Sequence, residues 1–166
     1  MVVVIWGVAG AGKTTIGQLL AKELGWKFLE ADDFHPQANI DKMRSGKPLT
    51  DKDRQPWLKS LRDVIKKSFA ANENAVFACS ALKKKYRDRL RVNADVRFVF
   101  LRGSRERIAE QLKHRRGHFF DPKLLESQFA DLEEPESADD SITVDLSETP
   151  AGSVEKIEAS LRKASS

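Results

Sequence analysis

The chain has one cysteine in 166 residues, Cys79, so no internal disulfide can form. That thiol lies in the apolar run 75–80 and reads as a buried structural group in a reducing cytoplasm. No apolar run approaches the ~20 residues that a membrane span needs. A basic n-region leading to a small-residue cleavage site is also missing, so no signal peptide is expected. There are no internal repeats and no low-complexity segment. With 40% hydrophobic and 33% charged residues the composition is not that of a disordered chain. This length makes one domain, residues 1–166, burying about two-thirds of its unfolded surface. The net charge of +4 is modest. Its excess clusters at 83–91 and 113–116, with no aromatic-interleaved stacking surface beside either run. That argues against nucleic acid and for local positive potential around a small anion.

What is present begins at once. Residues 7–14 read Gly-Val-Ala-Gly-Ala-Gly-Lys-Thr, a complete G-x-x-x-x-G-K-[ST] string. The apolar, β-branched run 1–6 before it reads as a buried parallel strand. Ile16, Leu19, Leu20 and Leu24 after it have helical spacing. A strand, a glycine loop and a helix N-terminus in this order cradle the phosphates of a nucleoside triphosphate. The nucleotide-binding residues are therefore Gly7, Val8, Ala9, Gly10, Ala11, Gly12, Lys13, Thr14 and Thr15. Lys13 would bridge the β- and γ-phosphates, and the Thr14 hydroxyl would ligate Mg²⁺, with Asp32 reaching the ion through water.

Further strand patterns fall at 26–31, 75–80, 96–101 and 142–146. Helical patterns fall at 52–71, 83–91 and 104–113, after Asp121-Pro122, and after Thr149-Pro150. Ser104 reads as an N-cap. This alternation predicts a three-layer α/β domain, a five-stranded parallel sheet with helices on both faces. Trp6, Trp26 and Trp57 lie in apolar runs and read as core. Residues 32–51 and 114–120 fit neither helix nor strand. As long loops in a compact domain they are expected to embrace an acceptor and to close over the phosphates.

Further absences narrow the class. No apolar strand ends in Asp-x-x-Gly and no Asn-Lys-x-Asp occurs, which excludes a GTPase switch. The strand that could carry a motor-type metal acid ends Phe77-Ala-Cys-Ser80, without a carboxylate. Acids instead follow the second strand, in Glu30-Ala-Asp-Asp-Phe-His35, at the sheet edge where ligands bind. That pattern suits a small-molecule kinase using ATP and Mg²⁺.

The longer strings are specific. Asp33-Phe-His-Pro, Asn39-Ile-Asp-Lys-Met43, Gly46-Lys-Pro-Leu-Thr-Asp51, Asp53-Arg54 and Pro56-Trp57 come first. Cys79-Ser-Ala-Leu-Lys-Lys-Lys-Tyr-Arg-Asp88, Gly117-His-Phe-Phe120 and Leu124-Leu-Glu-Ser-Gln-Phe129 follow. Together they resemble the gluconokinase family, from the phosphate loop to Pro135. The resemblance implies transfer of phosphate from ATP to the 6-hydroxyl of D-gluconate. It also implies the shikimate- and adenylate-kinase type of fold, a mobile lid at about 114–121, a substrate-binding segment at about 32–72, and frequent dimerisation. The chain departs from the family in having Glu30-Ala31-Asp32 where Asp-Gly-Asp is common. Thr14-Thr15 likewise stands where Lys-Ser-Thr is frequent.

Asp32 is the candidate to orient the acceptor hydroxyl and take its proton, with Asp33 beside it as the competing carboxylate. His35 and Asn39 are candidates to bind substrate hydroxyls or to brace the loop. Arg54 and Arg87 are alternative anchors for the acceptor carboxylate, Arg87 being a candidate for the transferred phosphoryl group as well, and Ser80 ends a strand at the ligand edge. Lys83, Lys84 and Lys85 read as a solvated face from which one lysine could reach substrate. Arg115 matches the family's lid arginine and is assigned to the γ-phosphoryl charge. Alternatives to the gluconate assignment are a kinase for another sugar acid or small polyol, an ATP-dependent nucleic-acid binder, and a regulatory ATP sensor.

Overall fold

The computed structural model describes residues 1–114, 122–137, 141–146 and 149–164, and of Pro122 only the backbone. Five strands form one sheet: β1 (Val2–Trp6), β2 (Lys27–Glu30), β3 (Ala75–Cys79), β4 (Val96–Arg102) and β5 (Ser141–Asp145). All pair in parallel, in the order β2-β3-β1-β4-β5. Among the described residues the helices are α1 (Lys13–Leu24), α2 (Gln37–Arg44), α3 (Asp51–Ala70), α4 (Lys84–Leu90), α5 (Arg105–Lys113), α6 (Pro122–Asp131) and α7 (Pro150–Ala164).

The side-chain period of two sorts the sheet into two cores. Val3 and Ile5 of β1 face Ile16 and Leu20 of α1, Ile108 of α5 and Val154, Ile157 and Leu161 of α7. Val2, Val4 and Trp6 face the other way, onto Trp57, Leu58, Leu61 and Ile65 of α3 and Tyr86 and Leu90 of α4. Every residue of β1 is buried, which is why that strand reads as unbroken apolar sequence. The predicted strands agree with the structure to within a residue or two. Ser104 caps α5 by accepting the Arg107 N–H. Among the described residues no helix is long and apolar enough to cross a membrane.

One expectation needs correction. Residues 32–51 are not irregular throughout: a 3₁₀ turn runs Ala31–Phe34, and α2 follows from Gln37. The α2 sequence Gln-Ala-Asn-Ile-Asp-Lys-Met-Arg has no apolar stripe, and its one buried residue is Asn39. A helix anchored by an amide rather than by a hydrophobic face leaves no 3.6-residue signal to read.

Candidate active site

The carboxyl ends of the strands open into a cleft of about 1140 Å³. At one end lies the phosphate loop, between β1 and α1. Gly10 and Gly12 take left-handed φ values of 83° and 86°. A side chain at Gly10 would also collide with Leu112, its Cβ 2.6 Å from Cγ. Ala9 to Thr15 line the cleft, whereas Gly7 and Val8 do not. Lys13 Nζ donates to the Val8 carbonyl at 2.8 Å, folding the side chain over its own loop.

Glu30, at the end of β2, is a site residue to which the sequence reading gave no role. Its carboxylate accepts the Thr14 hydroxyl proton, and its second oxygen faces the Asp32 amide at 3.5 Å. Burial raises the Glu30 pKa above the ordinary 4.5, opposed by the Thr14 hydrogen bond. A hydroxyl has one proton and two lone pairs. With the proton given to Glu30, the lone pairs of Thr14 are left for a cation. No group of three or more His, Cys, Asp or Glu side chains among the described residues could enclose a metal. That donor set fits Mg²⁺ carried in on nucleotide phosphates and bound by one hydroxyl, since Mg²⁺ keeps most of its waters.

The other end of the cleft is built by the 3₁₀ turn, α3 and α4. Asp32 lines it with a side chain 66% exposed, while its neighbour Asp33 does not line it. His35 is buried, stacked on Trp57 at 4.4 Å between ring centres. Its Nδ1 accepts from Asn39 Nδ2 at 3.2 Å, so the proton of the neutral ring sits on Nε2, 3.9 Å from Asp32 Oδ1. Burial lowers the His35 pKa; Asp32 opposes that and Arg54 adds to it. Asn39 does not line the cleft; its amide also donates to the Asp53 carbonyl at 2.8 Å, the bracing role. Trp57 is fixed in turn by donating Nε1–H to the Ala31 carbonyl at 2.8 Å. Ser80 lines the cleft just past β3.

Arg54 lines the cleft and is held by Tyr86, the only tyrosine in the chain, and by Asp131 of α6. Arg87, the other expected anchor, does not line it. Its guanidinium is buried, donates to the carbonyls of Ala81, Leu82 and Glu133 at 2.8–2.9 Å, and lies 3.9 Å over the Trp6 ring. Lys83 and Lys85 both reach Asp51, and Lys84 pairs with Asp88, so the basic run carries its own counter-charges. Gln128 of α6 was also missed: its side-chain oxygen accepts the Ala9 N–H at 2.6 Å. An apolar helix stripe gives no hint that its polar neighbour reaches a loop 119 residues away. Arg115 and most of the expected lid, residues 115–121, lie outside the described residues.

A family model described as shikimate kinase matches residues 9–161. A probable gluconokinase of Rattus norvegicus is 45% identical over 164 residues, covering 87% of this chain and 89% of its own. The chain belongs to the gluconokinase family. The thermosensitive gluconokinase of Escherichia coli K12 is 43% identical, covering 92% of this chain and 83% of its own. A crystal structure of a gluconokinase from Sinorhizobium meliloti 1021 superposes with a TM-score of 0.87 at 41% identity, covering 98% of this chain and 91% of that one. The gluconokinase likeness thus extends over both ends of the cleft.

Proposed function

We propose that the protein transfers the γ-phosphoryl group of ATP to the 6-hydroxyl of D-gluconate, giving 6-phosphogluconate and ADP. The observation that carries this reading is a single cleft. It has an anion-binding loop, Ala9 to Thr15, at one end, and a carboxylate, an imidazole and a guanidinium, Asp32, His35 and Arg54, at the other.

Arg54 binds the gluconate carboxylate through its planar donors. His35, neutral and braced by Asn39, donates Nε2–H to a substrate hydroxyl. Asp32 accepts the proton of the 6-hydroxyl as its oxygen bonds to the γ-phosphorus and the bond to the ADP oxygen breaks. Such a transition state is loose, and positioning outweighs basicity. Lys13 leaves the Val8 carbonyl for the β- and γ-phosphate oxygens, and Gln128 yields the Ala9 N–H to them. Thr14, oriented by Glu30, would hold Mg²⁺, which would supply positive charge to offset that of the nucleotide phosphates. Arg115 is assigned to the charge developing on the γ-phosphoryl group.

The test is ADP release with a panel of gluconate, other aldonates, shikimate and nucleoside monophosphates. Gluconate is expected to give the highest kcat/KM. Equal or faster turnover of another acceptor overturns the substrate assignment.

A further inference from the structure

Arg54 is more elaborately held than binding one carboxylate requires. Its Nη1 donates to the Tyr86 hydroxyl at 2.9 Å, and that hydroxyl donates to Asp51. Asp51 is also held by Lys83 at 2.9 Å and Lys85 at 2.5 Å. With two ammonium groups and a phenol on it, Asp51 stays ionised, so the chain runs one way, from Arg54 through Tyr86 to Asp51. This relay holds one side of the guanidinium.

On its other side, Arg54 Nη2 meets Asp131 Oδ2 at 3.3 Å, and Lys83 stands 4.0 Å from the second oxygen of Asp131. The Arg54 and Asp131 side chains are only 13% and 27% exposed, so solvent screens the pair incompletely. Of the five guanidinium donors, Tyr86 and Asp131 engage two, which leaves three for a ligand. The cluster Arg54, Lys83, Lys85, Asp51 and Asp131 retains one net positive charge.

We propose that Asp131 is a specificity-determining counter-charge: it weakens the hold of Arg54 on an acceptor carboxylate and sets the site for one anionic group bound reversibly. This rests on the reading of Arg54 as the carboxylate anchor. The carboxylate is remote from the reacting hydroxyl and is the same in substrate, transition state and product. Binding energy spent on it is uniform, so it lowers KM without speeding chemistry and slows product release. A carboxylate approaching Arg54 also meets the charge of Asp131. A neutral polyol of the same length meets no such penalty.

The test is D131N, which keeps a side-chain oxygen for Nη2 while removing the charge. Its KM for gluconate and its inhibition constant for 6-phosphogluconate are expected to fall about threefold to tenfold, as for loss of a partly shielded charge interaction. The KM for ATP, the melting temperature and competitive inhibition by D-glucitol are expected to stay at wild-type values, and D131E is expected to behave as wild type. A raised gluconate KM in D131N, or equal changes for gluconate and D-glucitol, overturns the proposal. R54A separates the two ideas: it is expected to raise the gluconate KM and leave D-glucitol inhibition alone. If R54A behaves so and D131N does not, the anchor stands and the counter-charge falls. If R54A leaves gluconate binding unchanged while Arg44→Ala, in the same cleft, weakens it, both readings of Arg54 fall.

Discussion

Thr14 and Glu30 form the contact on which a cation at the phosphate loop would depend. Groups that orient a metal ligand usually matter about 10- to 100-fold in metal affinity or activity. Glu30→Ala is therefore expected to raise the Mg²⁺ concentration for half-maximal rate by about that factor, with the gluconate KM little changed. Titrating Mg²⁺ at saturating ATP checks it. Asp32→Asn is expected to lower kcat by about 10²- to 10⁴-fold, and Asp33→Asn to leave it near wild type. Reversal of that order in steady-state assays would make Asp33 the working carboxylate. At this scale the sequence showed the residue types but not their directions. The Asp32-Asp33 ambiguity could not be resolved from composition, because two adjacent carboxylates differ only in which one the 3₁₀ turn aims at the cleft. Glu30 was visible as an acid, but its bond to Thr14 depends on β2 ending beside the start of α1, which no local pattern states.

Among the elements, α2 and α3 are joined end to side by polar contacts. Thr50 and Asp53 cap α3 reciprocally, and Lys42 of α2 reaches Asp53 at 2.6 Å. Lys42 first, then the Thr50 amide and hydroxyl, pull the Asp53 pKa from 3.8 down to about 2. A carboxylate lowered by folding adds stability above the unfolded pKa, and that share is lost as pH falls. The stability gap between wild type and Asp53→Asn should therefore be fully present above pH 4 and close as pH approaches 2. Denaturant titrations at stepped pH measure it. Arg87 ties α4, the loop after β3 and the segment after α6 to the face of Trp6. Its replacement by Ala strands buried carbonyls and should cost about 2–4 kcal/mol of stability. Chemical denaturation reads this, and a raised gluconate KM without lost stability would mark Arg87 as an anchor. Helices with apolar stripes, such as α3 and α7, were legible in the sequence. The polar α2 was not, because its stabilising contacts are hydrogen bonds to other elements.

On the scale of the whole molecule, nucleotide should bind only where β1, α1 and β4 are assembled. ATP with Mg²⁺ at 100 times its Kd should stabilise the fold by about 2.7 kcal/mol, a rise in Tm of roughly 5–10 °C for a domain of this size. Lys13→Met should keep the ligand-free Tm, lose most of that rise and abolish turnover; differential scanning fluorimetry with and without ATP decides it. The class of fold was legible because strand and helix patterns alternate. The sheet order was not, since periodicity says that a segment is a strand and is silent about its neighbours. That order has a consequence for how the chain comes into being. β1 occupies the centre of the sheet, with Val2 paired to Ala75 on one side and to Val96 on the other. Its neighbours are therefore synthesised long after it. Until residue 102 has left the ribosome, Val-Val-Val-Ile-Trp is a short, uncharged, β-prone segment with at least one open edge, the kind that seeds aggregation. A fragment stopped at residue 94 should precipitate or be bound by chaperones, which makes the strand that carries the phosphate loop also the chief hazard of the nascent chain.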